Sequence, residues 1–363
     1  MSDHDPLLLT LPPNRVRRTY LGGYYLDAME GNPKPADGNR PEDWLCSTTV
    51  ASNPGCDLVP DEGLSHVIVG GRQVLVRDLL AHAPTHYLGG PHYQTYGLDT
   101  GFLAKLIDSA IRLPLQAHPT REFAKRKLGK PWGKFECYVI LSVRPGVEPY
   151  FYLGFQRPPT AQEWLRIVTE QDLRAMMACF EKVPIHPGEV WYIPGGFPHA
   201  LGEGLTLLEF QEPSDLCVRC EFERDGVVVP EEARFMGLMP CDALQIFNYE
   251  CWPLDLVRQQ FRVTPKILNR GRGVTETLLI GPEQIDCFEV RELSVDLCGS
   301  YELEGRLTLA VATAGKGRLS SGKDTLQLGP GKCCLIAAAA DQLKVEAETD
   351  DCFRLLLCMP GRS

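Results

Sequence analysis

The chain has 363 residues, 44% hydrophobic and 23% charged, enough to bury one large core or two ordinary ones and unlike a disordered or fibrous protein. A formal charge of −10 excludes a general nucleic-acid or membrane-surface binder, because both need an excess of basic residues. The first thirty residues hold only the run LLLTL before Pro12 and Pro13, and no run of about 18 apolar residues occurs, so neither a signal segment nor a membrane span is expected. A cytoplasmic location is the expectation. The fourteen cysteines are scattered, several inside apolar strand-like runs (Cys333, Cys334, Cys352, Cys358), where a reduced thiol packs as a small hydrophobe.

Residues 12 to 70 alternate short apolar runs with Gly, Pro, Asn and Asp, the pattern of short strands joined by turns. A helix is predicted at 73 to 82, and another at Thr160, where T-A-Q-E is a capping box leading into WLRIV and LRAMMACF. Strand patterns return in PIHPGEVWYIP, GLTLLEFQ and DLCVRCEF; residues 230 to 265 are mixed, and short alternating runs follow to the end. Strands dominate and helices sit in insertions, so the fold is mainly β, a barrel or sandwich. A weak echo between HPGEVWYIPGGFPHAL (186 to 201) and LGPGKCCLIAAAADQL (328 to 343) suggests two such units. No histidine follows His199, so the second unit has no imidazole ligand.

The chemistry concentrates in two stretches. In Q-A-H the period of a strand puts Gln116 and His118 on one face, and Glu136 opens the strand-like run CYVIL. Between them Arg121, Lys125, Arg126, Lys127, Lys130 and Lys134 oppose only Glu122, either a solvated face or a positive field for a small anion. Residues 188 to 199, G-EVWYI-P-G-G-FP-H, resemble the second signature of the cupin family, in which a Pro/Gly turn presents a metal-binding histidine at the barrel mouth. Gln116, His118, Glu136 and His199 then make a set of two imidazoles, a carboxylate and an amide oxygen, suited to zinc, although Fe, Mn or Co could also be held. His4, His66, His82, His86, His92 and His186 lack such context and read as ordinary surface or core residues.

The passages LPLQAHPTREFAKRKLGKPWGKFECYVIL, VPIHPGEVWYIPGGFPHALGEGLTLLEFQEPSDLCVRCEF and RPEDWLCS resemble the type I phosphomannose isomerases, zinc cupins that interconvert mannose 6-phosphate and fructose 6-phosphate. The resemblance implies two jelly-roll cupin domains, a catalytic one with helical insertions at 1–260 and a metal-free one at 261–363, with room for an oligomer formed through the second. It implies one Zn2+ per chain on Gln116, His118, Glu136 and His199, and a sugar or sugar phosphate as partner. It places Lys134 and Arg219 in the cleft, the arginine implicated in catalysis, and Glu209 and Gln211 on the adjoining strand; by the chemistry of isomerisation a metal-bound hydroxide or a carboxylate such as Glu209 is the candidate base. Arg121, Lys125, Lys134 and Gln211 are the expected substrate contacts, and Trp44 is expected to pack. Departures from the family pattern at Leu21, Phe135, Phe197, Pro198 and Cys217 are expected to line or abut the site's mouth and bear on which sugar is held. Cys217 and Cys220 form a C-x-x-C that on a strand faces two ways, a structural rather than redox pair. The rival readings are an isomerase of another sugar, an iron cupin oxygenase and a non-catalytic sugar-binding cupin.

Overall fold

The structure is a computed structural model, and it describes residues 5–271, 273–348 and 351–362. His4 lies outside the described residues. The architecture is mainly β, in two units of two facing sheets each. In the first unit a seven-stranded sheet runs Arg262–Val263, Val190–Ile193, Glu136–Val143, Leu205–Gln211, Leu103–Asp108, Glu42–Leu45, Arg15–Val16. It faces a five-stranded sheet ordered Val183–Pro184, Tyr150–Leu153, His199–Leu201, Gln116–Ala117, Val218–Arg219. Tyr138, Ile140 and Leu207 from the large sheet meet Phe151, Leu153 and Leu201 from the small one, because alternate residues on each strand are apolar.

The second unit repeats this plan. Its seven-stranded sheet runs Leu8–Thr10, Cys333–Ile336, Thr308–Ala314, Phe353–Pro360, Phe288–Val295, Val274–Ile280, Lys266–Arg270. Its smaller sheet is ordered Cys298–Glu302, Gln342–Ala347, Gly317–Ser321, Asp324–Leu328. The echo seen in the sequence has a structural counterpart: Val190–Ile193 and Cys333–Ile336 each leave a large sheet, turn, and continue as a strand of the small one. The two large sheets share one apolar layer, with Val139, Leu208 and Phe210 packed among Val290, Leu309 and Leu356. Leu8–Thr10 crosses from the N-terminus to pair with Cys334–Ile336, so the first strand of the chain belongs to the far unit.

The capping box forms as expected: the Thr160 hydroxyl accepts from the Glu163 N–H and the Glu163 carboxylate accepts from the Thr160 N–H, at the head of the helix Ala161–Glu170. That helix buries Trp164, Ile167 and Val168 with Phe155, Phe180 and Phe247. Gln171 ties its end to Cys220 and Phe222. The predicted helix at 73 to 82 begins later, at Val76–His82, because Arg72–Leu75 is taken up as a hairpin strand against His66–Val69. The basic run is helical, Arg121–Phe123 continuing into a wide π-turn at Ala124–Leu128, with Thr120 as its cap.

Candidate active site

The first unit gathers its polar residues at one end. Glu136 is the first residue of its strand, paired with Ile193 on one side and Gln211 on the other. The turn after Ile193 returns the chain so that His199 pairs with Gln116, and Gly196 sits in the left-handed region (φ 89°) within 2.8 Å of the Ile246 carbonyl for any added Cβ. These contacts bring His118, Glu136 and His199 together with ligand atoms all within 4.8 Å of one another. Glu136 is wholly buried, and both histidines are nearly so.

Hydrogen bonding determines which atoms face inward. Nδ1 of His118 lies 2.8 Å from the Leu216 carbonyl and Nδ1 of His199 lies 2.9 Å from the Phe197 carbonyl. A carbonyl only accepts, so each Nδ1 carries the proton and each Nε2 turns a lone pair into the site. Those lone pairs face Glu136, with His118 Nε2 3.0 Å from Oε1 and His199 Nε2 3.3 Å from Oε2. Burial holds the His118 imidazole below its ordinary pKa and so neutral, whereas Glu136, despite its burial, is held ionised beside the Lys134 ammonium. Acceptors facing acceptors across about 3 Å need a cation between them, and this donor set fits a divalent metal. Lys134 supplies part of the missing charge, its Nζ 2.8 Å from Glu136 Oε1 and 3.2 Å from His118 Nε2. Tyr138 donates to the other oxygen, Oε2, at 2.5 Å. The Gln116 amide lies 3.4 Å from His199 Nε2 and accepts the Cys217 thiol at 3.1 Å; half a turn of the amide presents its oxygen to the same point.

A cleft opens from this centre, lined by Gln116, Lys134, Glu209, Cys217 and Arg219 of the expected residues. Burial, and then the Glu136 charge, push the Glu209 carboxyl up to about 7, with Lys105 and Lys134 opposing. Arg219 stands beside Gln116 on the neighbouring strand, its guanidinium donating to the Ala233 carbonyl and, among the described residues, making no ion pair.

Other expectations are corrected. Arg121 is outside the cleft: its guanidinium is held by Glu212 and, across the unit boundary, by Asp286, and it lies over Trp132. Lys125 is exposed on the π-turn and does not reach the cleft, because the helix carries it outward. Gln211 is fully buried and uses its amide on the Glu212 and Ser214 carbonyls, so it shapes the turn under the site. Phe135 faces away from Glu136, as strand alternation requires, into the layer between the units, where it stacks on Tyr192. Phe197 packs on Phe261 and Trp252. Of the departing positions named from the sequence, Cys217 lines the cleft and the two phenylalanines do not. Cys220 faces the helical core, opposite to Cys217.

Sequence reading missed the cleft's far wall of Arg18, Tyr20, Glu42, Lys105 and Asp215. Arg18 grips Asp215 through two N–H groups (2.8 and 3.0 Å) and Glu42 through Nε (2.8 Å), while Tyr20 donates to Glu42 at 2.7 Å. Lys105 meets Glu209 at 2.7 Å, and Trp44 packs beneath, donating to Glu42 at 2.7 Å. Glu42 and Trp44 share a strand face two residues apart, the signal from which Glu42 could have been found.

Fold and site together define a mainly β protein with a buried two-histidine, one-carboxylate centre at the end of a polar cleft. No family model matches the chain. Mannose-6-phosphate isomerase ManA of Bacillus subtilis (strain 168) is 30% identical over 249 residues, which is 67% of this chain and 71% of that protein. The chain belongs to the mannose-6-phosphate isomerase family. The mannose-6-phosphate isomerase of Streptococcus mutans is 27% identical over 165 residues, 42% of this chain and 48% of that protein. Against Bacillus subtilis GmuF the match is 30% over 132 residues, 35% of this chain and 40% of that protein, so the chain spans under half the length of these two relatives. Among solved structures, the Bacillus subtilis mannose 6-phosphate isomerase shares the fold at TM-score 0.74 and 19% identity, covering 97% of this chain and 99% of that one. A zinc-bound mannose 6-phosphate isomerase does so at TM-score 0.71 and 16% identity, covering 98% and 100%.

Proposed function

We propose that the chain is an aldose-ketose isomerase that interconverts mannose 6-phosphate and fructose 6-phosphate, with one zinc ion held by Gln116, His118, Glu136 and His199. The observation that carries this reading is the pair of Nε2 lone pairs aimed at the Glu136 carboxylate, an arrangement that a cation completes. When bound there, the ion supplies a Lewis acid that polarises a sugar carbonyl. Glu209, poised near neutrality, takes the proton from C2 of the opened aldose and returns it at C1 as the carbonyl shifts. Lys134 and Arg219 stabilise the developing negative charge and orient the substrate. Arg18, Lys105, Lys134 and Arg219 balance Glu42, Glu136, Glu209 and Asp215, so a divalent ion leaves the cleft positive and suited to a phosphorylated sugar.

Two cupin domains, 1–260 and 261–363, with the strand Leu8–Thr10 lent to the second and Arg262–Val263 lent to the first, are the architecture this reading favours. Fourteen unpaired cysteines suit a reducing cytoplasm. A coupled assay with mannose 6-phosphate, run beside a panel of free and phosphorylated aldoses on zinc-loaded protein, tests the activity. Turnover of mannose 6-phosphate above the panel is expected, and zinc-loaded protein that turns over no sugar would sink the proposal.

A further inference from the structure

Behind the strand that floors the cleft, residues of both units line a cavity of about 240 Å³. Leu11, Leu26, Met29 and Leu106 give it apolar walls, and Asp43 stands among them, with Glu30 and Lys332 also on the lining. Asp43 is 7% exposed; its Oδ1 accepts the Asn14 N–H at 2.6 Å, and among the described residues its Oδ2 accepts no hydrogen bond and its carboxylate forms no ion pair. The charged groups around it are Glu30 of the helix Tyr24–Glu30, Arg15 of the N-terminal strand and Lys332 of the second unit. Arg15 is engaged with Asp27 and Glu30, at 3.1 and 3.0 Å. Burial pushes the Asp43 carboxyl up to about 6, so near neutral pH it is an anion in apolar surroundings with no cation in contact.

We infer that this cavity binds a small ammonium ligand with an apolar body, the ammonium on Asp43 and the body against Leu26, Met29 and Leu106. Two carboxylates, Asp43 and Glu30, against one ammonium, Lys332, on a lining otherwise largely apolar select a ligand that is cationic at one end and apolar at the other. Glu42, next to Asp43 on the strand, lines the cleft, so an occupant would sit one strand away from the substrate.

Calorimetry on the zinc-loaded full chain tests this with n-butylammonium, n-butanol and n-butanoate as probes. Saturable one-to-one binding of n-butylammonium is expected, weakened at least tenfold both in Asp43→Asn, which removes the charge, and in Met29→Trp, which fills the chamber. The inference is overturned if n-butylammonium does not bind saturably, if n-butanol binds as tightly, or if neither variant weakens binding. No turnover is read, so the result stands apart from the isomerase proposal.

Discussion

The two units use one strand plan for opposite ends. In the first large sheet Lys105 pairs with Glu209, and Glu209 with Tyr138; in the second, Arg291 pairs with Leu357, and Leu357 with Ala310. By the same register Glu276 stands where Glu42 does, while Thr308 and Met359 replace Glu136 and Gln211. The cation and its glutamate neighbour have counterparts, but the metal-facing carboxylate and the base do not. What remains in the second unit is closed on itself: Arg291 meets Glu276 at 2.7 Å, Glu304 at 2.9 Å, the Tyr301 hydroxyl at 3.0 Å and Glu289. The first unit instead aims two imidazole lone pairs at one carboxylate, and Lys134 balances only part of that set. Reactivity resides where polar groups are left without protein partners, and the same scaffold with every charge matched is a structural element.

The comparison breaks most visibly at the metal. His118→Ala and His199→Ala should each lose bound zinc and at least ~10³-fold in kcat/KM, from the several kcal/mol a Lewis acid contributes; activity surviving with metal absent would refute the ligand assignment. Glu209→Gln should keep zinc and lose about 10²- to 10⁴-fold in kcat, the range of a general base, so metal content against rate separates it from the histidines. In the second unit Arg291→Met should leave kcat per folded molecule unchanged while lowering unfolding free energy by about 1–3 kcal/mol, because Glu276 keeps only the Tyr301 hydroxyl and Glu289 only the more distant Arg306 and Arg362. A fall in kcat instead would mean that the two units share catalysis. The smallest effect is at the boundary. With its folded pKa near 6 and an ordinary value of 3.8, Asp43 binds its proton more tightly in the folded chain, so its contribution is full below pH 4 and lost as pH rises to 6. Asp43→Asn should flatten that part of the stability curve by about 2–3 kcal/mol, read by chemical denaturation at pH 4 and pH 6.5.

Much of this was legible in the amino-acid order. The strand period of Q-A-H, the Pro/Gly turn before His199 and the capping box at Thr160 are local patterns, and each is where the structure has the corresponding element. The basic run divides, because net charge says nothing of direction: Lys134 lines the cleft, Arg121 is drawn to Asp286, 165 residues away in sequence, and Lys125 is exposed. Phe135 could have been placed by alternation from Glu136, yet what covers it, Tyr192 and Phe288, belongs to other strands.

By itself, then, the sequence determined the mainly β class and the absence of histidine from the second half, since short-range periodicity and residue chemistry suffice for these, while the four candidate ligands followed from its resemblance to a family pattern. Tertiary structure alone decided that the N-terminal strand serves the far unit, that Arg18 and Asp215 wall the cleft, and that Asp43 stands uncompensated between the units. Those contacts join residues 29 to 328 positions apart, and only the packing of sheet on sheet sets which charge meets which.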